Sequence, residues 1–197
     1  MEHLGTKELE TKRLILRRFL LNDTENMFKN WANDDEVTKY LSWSSHSDKN
    51  VTSYILEQWI SNYKNKDYYN WAIVLKEIDE PIGSISVLKH SDDIKMVHLG
   101  YCIGKNWWNK GIVSEALNSI IKFFFEEVGT NRIEARIDID NVNSRKVLEK
   151  CRMKYEGLKR QANKNKYGIR DIIEYGIIAE DYFNKNKFLK LFIENEK

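Results

Sequence analysis

Leu99-Gly100-Tyr101-Cys102-Ile103-Gly104-Lys105-Asn106-Trp107-Trp108-Asn109-Lys110-Gly111-Ile112-Val113-Ser114-Glu115-Ala116 is the stretch on which the fold turns. Its first residues end a strand that begins at Met96. From Ile112 to Val128 the apolar residues Ala116, Leu117, Ile120, Ile121 and Phe124 recur at helical spacing, and Gly129 closes that helix. A strand therefore runs through a loop into a helix. The first helical turn leaves unpaired N–H groups and about half a positive charge, so a pyrophosphate can sit against Asn109 to Val113 where no side chain blocks it. Gly111 supplies that clearance, although an isolated glycine more often simply permits a turn. Neither common nucleotide motif fits: Gly104-Lys105 is followed by Asn106, and the glycines are misplaced for a dinucleotide fingerprint.

Outward from this stretch, Leu14 to Phe19, Tyr69 to Leu75, Ile82 to Leu88, Ile133 to Ile139, Tyr155 to Lys159 and Ile172 to Ile178 read as strands. Asn22-Asp23 opens a helix running to about Trp31. Asp48 caps a second, whose Val51, Tyr54, Ile55, Trp59 and Tyr63 are expected to form its buried stripe. Ser144 to Cys151 is a short helix, and the tail Asp181 to Ile193 is helical. Antiparallel strands followed by a strand-helix-strand unit and a terminal hairpin describe an α+β domain around one mixed sheet.

A chain of 197 residues with 42% hydrophobic content fits one domain, taken as 1–197. Its 32 basic and 30 acidic residues balance too closely for a dedicated nucleic-acid binder. No apolar run reaches the roughly 20 residues that span a bilayer, and the start lacks a signal-peptide core; no membrane association and a cytoplasmic location are expected. Cys102 and Cys151 lack the spacing of a metal knuckle or redox motif, and no metal is expected.

The loop at 99–116 resembles the pyrophosphate loop of the GNAT acetyltransferases, in particular the branch that includes ribosomal-protein N-terminal acetyltransferases. The resemblance extends to Leu9-Glu10-Thr11-Lys12-Arg13-Leu14-Ile15-Leu16-Arg17, to Ile82-Gly83-Ser84-Ile85, and to Asn141-Val142-Asn143-Ser144-Arg145-Lys146-Val147-Leu148-Glu149-Lys150-Cys151-Arg152-Met153-Lys154-Tyr155-Glu156-Gly157, in the same order, over about residues 9–183. It implies a six- or seven-stranded, mostly antiparallel sheet that splays open after the Met96 strand. Acetyl-CoA would lie in the gap, its pantetheine arm paired with main chain at Tyr101, Cys102 and Ile103 as an added strand would be. Its phosphates would meet the loop at Trp108, Asn109, Lys110, Gly111, Ile112, Val113 and Ser114. Asn141 and Asn143 resemble further CoA-contacting positions, and Lys105, Lys110, Lys146 and Lys150 carry charge that suits the CoA phosphates, although most surface lysines are simply solvated. Asn109 and Arg152 stand where relatives often carry glycine.

By the same resemblance the chain transfers an acetyl group directly to a primary amine, on a protein N-terminus or a small molecule. An amine acceptor is the expected partner, and a homo-oligomer is allowed. The alternative is a catalytically silent CoA-binding sensor. The amine must lose a proton as it attacks. His98 is the first candidate base, with an unperturbed pKa of about 6.5 suited to neutral pH; a half-buried strand histidine is the plain alternative. Glu115 is the fallback. The tyrosine that protonates the thiolate in many relatives falls at Leu148, which leaves Ser144 to supply that proton or to cap its helix. Trp43, His46 and Trp71 fall in regions that resemble the acceptor side, where aromatic residues are more often core.

Overall fold

The computed structural model describes residues 1–184. Helical backbone continues over 179–184, and the rest of the expected tail helix, to Ile193, lies outside the described residues. One sheet organises the chain, with strands β1 (Leu9–Glu10), β2 (Leu14–Arg17), β3 (Asn70–Leu75), β4 (Glu80–Ser91), β5 (Met96–Ile103), β6 (Arg132–Asp138), β7 (Lys154–Asn165) and β8 (Gly168–Ile178) in the order β1-β2-β3-β4-β5-β6-β8-β7. Eight strands stand where six or seven were expected; the extra one is the two-residue β1, too short to show any periodicity. Every neighbouring pair is antiparallel except β5 and β6.

That parallel pair opens the sheet. β5 pairs with β6 only from Met96 to Leu99, while its pairing with β4 continues to Ile103. β6 meanwhile stays paired with β8 as far as Asp138. The backbone of Gly100 to Ile103 is therefore held on one side only, and its free side borders a gap.

Helices cover both faces. α3 (Ile112–Phe123) and α4 (Val142–Lys150) lie on the face where Trp71, Ile73, Val97, Leu99, Ile133 and Ala135 point, and α3 presents Ala116, Leu117, Ile120 and Ile121 to it, all buried. α1 (Thr24–Met27, continued by a wider turn over Phe28–Ala32) and α2 (Lys49–Asn62) pack on the other face against Ala72 and Val74. Asp48 caps α2 as expected, its side chain accepting from the N–H groups of Asn50 and Val51. The buried stripe of α2 differs from the expected one: Thr52 and Leu56 are buried, whereas Val51 and Tyr54 are exposed. The inward-facing Thr52 is satisfied by His46, whose Nδ1 lies 2.8 Å from Thr52 Oγ1.

A candidate acyl-transfer cleft

A cleft of about 500 Å³ occupies the gap beside β5, within the range of small-molecule sites. Its wall along the sheet is the unpaired end of β5, Tyr101 to Ile103. Opposite stand Asn141, Asn143, Ser144, Lys146, Val147 and Lys150, from α4 and the turn before it. Its floor is Trp107 to Asn109 with Gly111 to Ser114 at the start of α3, and residues of the 36–41 loop close over it.

The start of α3 explains what the floor can hold. Gly111 precedes the helix with φ 70°, a left-handed conformation that glycine adopts freely, and no side chain caps the first turn. Among the described residues no side chain accepts from the N–H groups there. A carbon added at Gly111 would lie 3.6 Å from Lys150 Nζ and 3.8 Å from Arg13 Nη2, so two cations flank the helix start. An anion there meets backbone donors, the helix dipole and two positive side chains. Asn109 takes φ 60°, a left-handed conformation that asparagine is among the few non-glycine residues to tolerate. Lys110 is exposed and does not line the cleft; its carbonyl accepts from Arg13 Nη1 at 2.9 Å, which anchors the loop from behind.

Arg13 is held in turn by Glu115, whose Oε2 accepts from Arg13 Nε at 2.7 Å while Oε1 accepts from Arg13 N at 2.9 Å and Thr11 Oγ1 at 2.6 Å. Burial raises the Glu115 pKa, but these bonds outweigh it and keep the carboxylate below its ordinary range. Glu115 is thus a clamp between β2 and α3, not a free base.

Across the cleft, Asn141 caps α4, its Oδ1 accepting from Ser144 N at 3.1 Å. Ser144 is therefore not the cap, and its hydroxyl is free for another partner. That partner is Tyr101: the two hydroxyl oxygens lie 2.7 Å apart. Burial pushes the Tyr101 pKa up and keeps the phenol protonated. Leu148 is fully buried in the core. The turn before α4 is fixed from beneath by Arg170, which bonds Asp138 at 2.9 and 3.2 Å and also reaches Asp140.

His98 sits on β5 facing the same way as Cys102, opposite Lys89 on β4 and Glu134 on β6. It is buried at 8% exposure, and burial together with the nearby Arg136 lowers its pKa, so the ring is neutral at pH 7. It is not part of the cleft lining. Cys102 does line the cleft, its Sγ 3.3 Å from Ser84 Oγ, with a pKa raised by burial.

The three aromatic candidates lie elsewhere. Trp71 is fully buried on the α3 face, its Nε1 donating to Lys7 O at 2.6 Å and its ring against Tyr69, Phe123 and Phe124; it cannot face an acceptor, because its strand position points it into the core. Trp43 and His46 contact each other and pack toward α2, outside the cleft lining. The loop that does reach the cleft is Glu36 to Leu41, with no signal in its sequence beyond ordinary turn residues. It is pinned by two ion pairs, Glu36 with Lys105 at 2.6 Å and Asp35 with Lys166 of the β7–β8 turn at 2.7 Å.

Comparison with known proteins agrees with this geometry. The profile of the Acetyltransferase (GNAT) domain matches residues 13–154. The uncharacterized N-acetyltransferase p20 of Bacillus licheniformis is 31% identical over 88% of the chain and 97% of its own length. Among solved structures, a ribosomal-protein-S5-alanine acetyltransferase from Vibrio fischeri superimposes with a TM-score of 0.78 at 21% identity, covering 89% of this chain and 98% of that one. The microcin C7 self-immunity acetyltransferase MccE, in complex with acetyl-CoA and AMP, does so at 0.78 with 20% identity, over 85% of this chain and 93% of its own. Among the described residues, no helix is long and apolar enough to cross a membrane.

Proposed function

The chain belongs to the GNAT acetyltransferase family, and on that footing we propose that it moves the acetyl group of acetyl-CoA directly to a primary amine. The observation that carries this reading is the unpaired end of β5 facing an anion-ready helix start across one cleft. An amide-bearing arm can extend the sheet at Tyr101 to Ile103 while the attached phosphates reach Gly111 to Ser114, Arg13 and Lys150. Asn143 and Lys146 line the same wall.

The roles follow from placement. A backbone N–H at the free side of β5 donates to the thioester carbonyl and stabilises the charge that develops on its oxygen. His98 stands outside the cleft lining but shares the strand and face of Cys102; neutral at pH 7, it takes the amine proton through intervening water as the nitrogen bonds to the acyl carbon. As the carbon–sulfur bond breaks, Ser144 passes its hydroxyl proton to sulfur while Tyr101 Oη steadies the serine oxygen, and a proton from solvent restores the hydroxyl as the base releases the amine proton to solvent. Among the described residues Cys102 has Ser84 as its side-chain partner and no basic one, and its pKa is raised by burial, which supports direct transfer over an acyl-cysteine route. The acceptor is an α-amine or a small-molecule amine. At pH 7 an α-amine, with pKa about 7.7–8.0, is neutral roughly 300 times more often than a lysine at about 10.4.

Release of free thiol from acetyl-CoA, followed across peptides with varied N-termini and a panel of small amines, tests the proposal. Acceptor-dependent release supports it. Tight CoA binding with no release on any acceptor would favour a sensor that keeps the pocket without turnover.

A further inference from the structure

We propose that His3, His90 and Asp92 form a binding site for one divalent transition-metal ion of the zinc type, which ties the N-terminal segment to the corner between β4 and β5. One ligand atom from each of the three lies within 4.8 Å of the others. Ligands around tetrahedral zinc, with bonds of about 2.0–2.2 Å, stand roughly 3.3–3.6 Å apart, so small side-chain rotations close the site.

Each ring already has a partner that would orient it. His3 Nδ1 lies 3.1 Å from Tyr69 Oη, a hydroxyl that also accepts from Leu4 N at 3.1 Å, while His3 Nε2 faces Asp92 Oδ1 at 3.1 Å. His90 Nε2 lies 3.7 Å from Asp67 Oδ2. Metal-bound histidines commonly have one nitrogen engaged in this way by a carboxylate or hydroxyl, which leaves the other as the ligand. For His90 that other nitrogen is Nδ1, which is buried and has no hydrogen-bond partner among the described residues. A plain ion pair of His3 with Asp92 explains neither that orphaned atom nor the convergence of the second imidazole, whose ring centroid is 4.9 Å from that of His3.

Two imidazoles and one carboxylate favour zinc, nickel or copper over magnesium or calcium. With three protein ligands, water completes the shell. The site lies at the Met96 end of β5, and the cleft lies at the Ile103 end, roughly 20 Å along the strand. Its role is to hold the fold, and it stands apart from acyl transfer. The segment it would fasten is also held by Glu2 N to Val128 O at 3.0 Å, by Gly5 N to Lys66 O at 2.7 Å, and by the Met1 ammonium 3.8 Å from Asp92 Oδ1, a contact the metal would displace.

The test uses the full chain without a histidine tag, stripped with a chelator and titrated with zinc chloride against a chromogenic chelator, with thermal melting in parallel. One zinc per chain and a raised melting temperature are expected. Affinity should fall at least about tenfold in His3→Ala and in Asp92→Asn, and His46→Ala should be unaffected. Asp92 is largely exposed, so its variant separates metal loss from misfolding. Absence of stoichiometric zinc in the wild type, or equal zinc affinity in the wild type, His3→Ala and Asp92→Asn, would overturn the site.

Discussion

The hydroxyl oxygens of Tyr101 and Ser144 lie 2.7 Å apart, joining the free end of β5 to the first turn of α4 across the mouth of the cleft. Ser144→Ala should lower kcat by about a hundredfold, the usual size of a lost proton donor, with CoA affinity little changed. Tyr101→Phe removes one neutral hydrogen bond and should cost about fivefold in kcat, near 1 kcal/mol. Equal losses in kcat and CoA affinity would instead make the pair part of the binding wall.

Gly111→Ala should weaken CoA binding about tenfold, because a side chain at φ 70° costs roughly 1–2 kcal/mol and intrudes on the helix start. Lys150→Ala should weaken it too, and should flatten its dependence on ionic strength, since screening acts on that charge. Calorimetric titration with CoA at low and high salt reads both.

The pH profile follows from His98. Burial and Arg136 lower its pKa, so the neutral base persists below the ordinary value of about 6.5 and the acid limb of kcat/KM should lie under that value. Arg136→Ala removes a charge that depresses this pKa and leaves Glu134 and Glu174, which raise it; the limb should move to higher pH. A limb unmoved in that variant would remove His98 from the chemistry. The same sign holds for stability: the fold favours neutral His98, so its contribution is lost as pH falls below about 6.5.

Arg152 occupies a left-handed turn after α4 at φ 64°, with its side chain exposed. Arg152→Gly should therefore stabilise the protein by about 0.5–1 kcal/mol, visible as a higher melting temperature.

Much of this was legible in the sequence where periodicity was strong. β5 spans Met96 to Ile103 as read, and α3 begins at Ile112, because alternating and helical apolar patterns meet there at glycine-marked turns. The sequence pattern marks only Tyr155 to Lys159 of β7, which runs from Lys154 to Asn165: as an edge strand it is exposed along most of its length and carries no apolar alternation. Trp71 turns into the core, and its sequence context does not reveal this, because an aromatic residue on a strand does not announce which face it takes. The Tyr101–Ser144 bond and the Arg13–Glu115 clamp join residues 43 and 102 positions apart, which spacing within one element cannot reveal. The same holds for His3 and His90.

The most direct test of the central claim is acceptor-dependent thiol release from acetyl-CoA by the wild type and by Ser144→Ala. The wild type should turn over at least one primary amine, and the variant should bind CoA as tightly while turning over about a hundredfold more slowly. A wild type that binds no CoA, or a variant as fast as the wild type, would contradict the account.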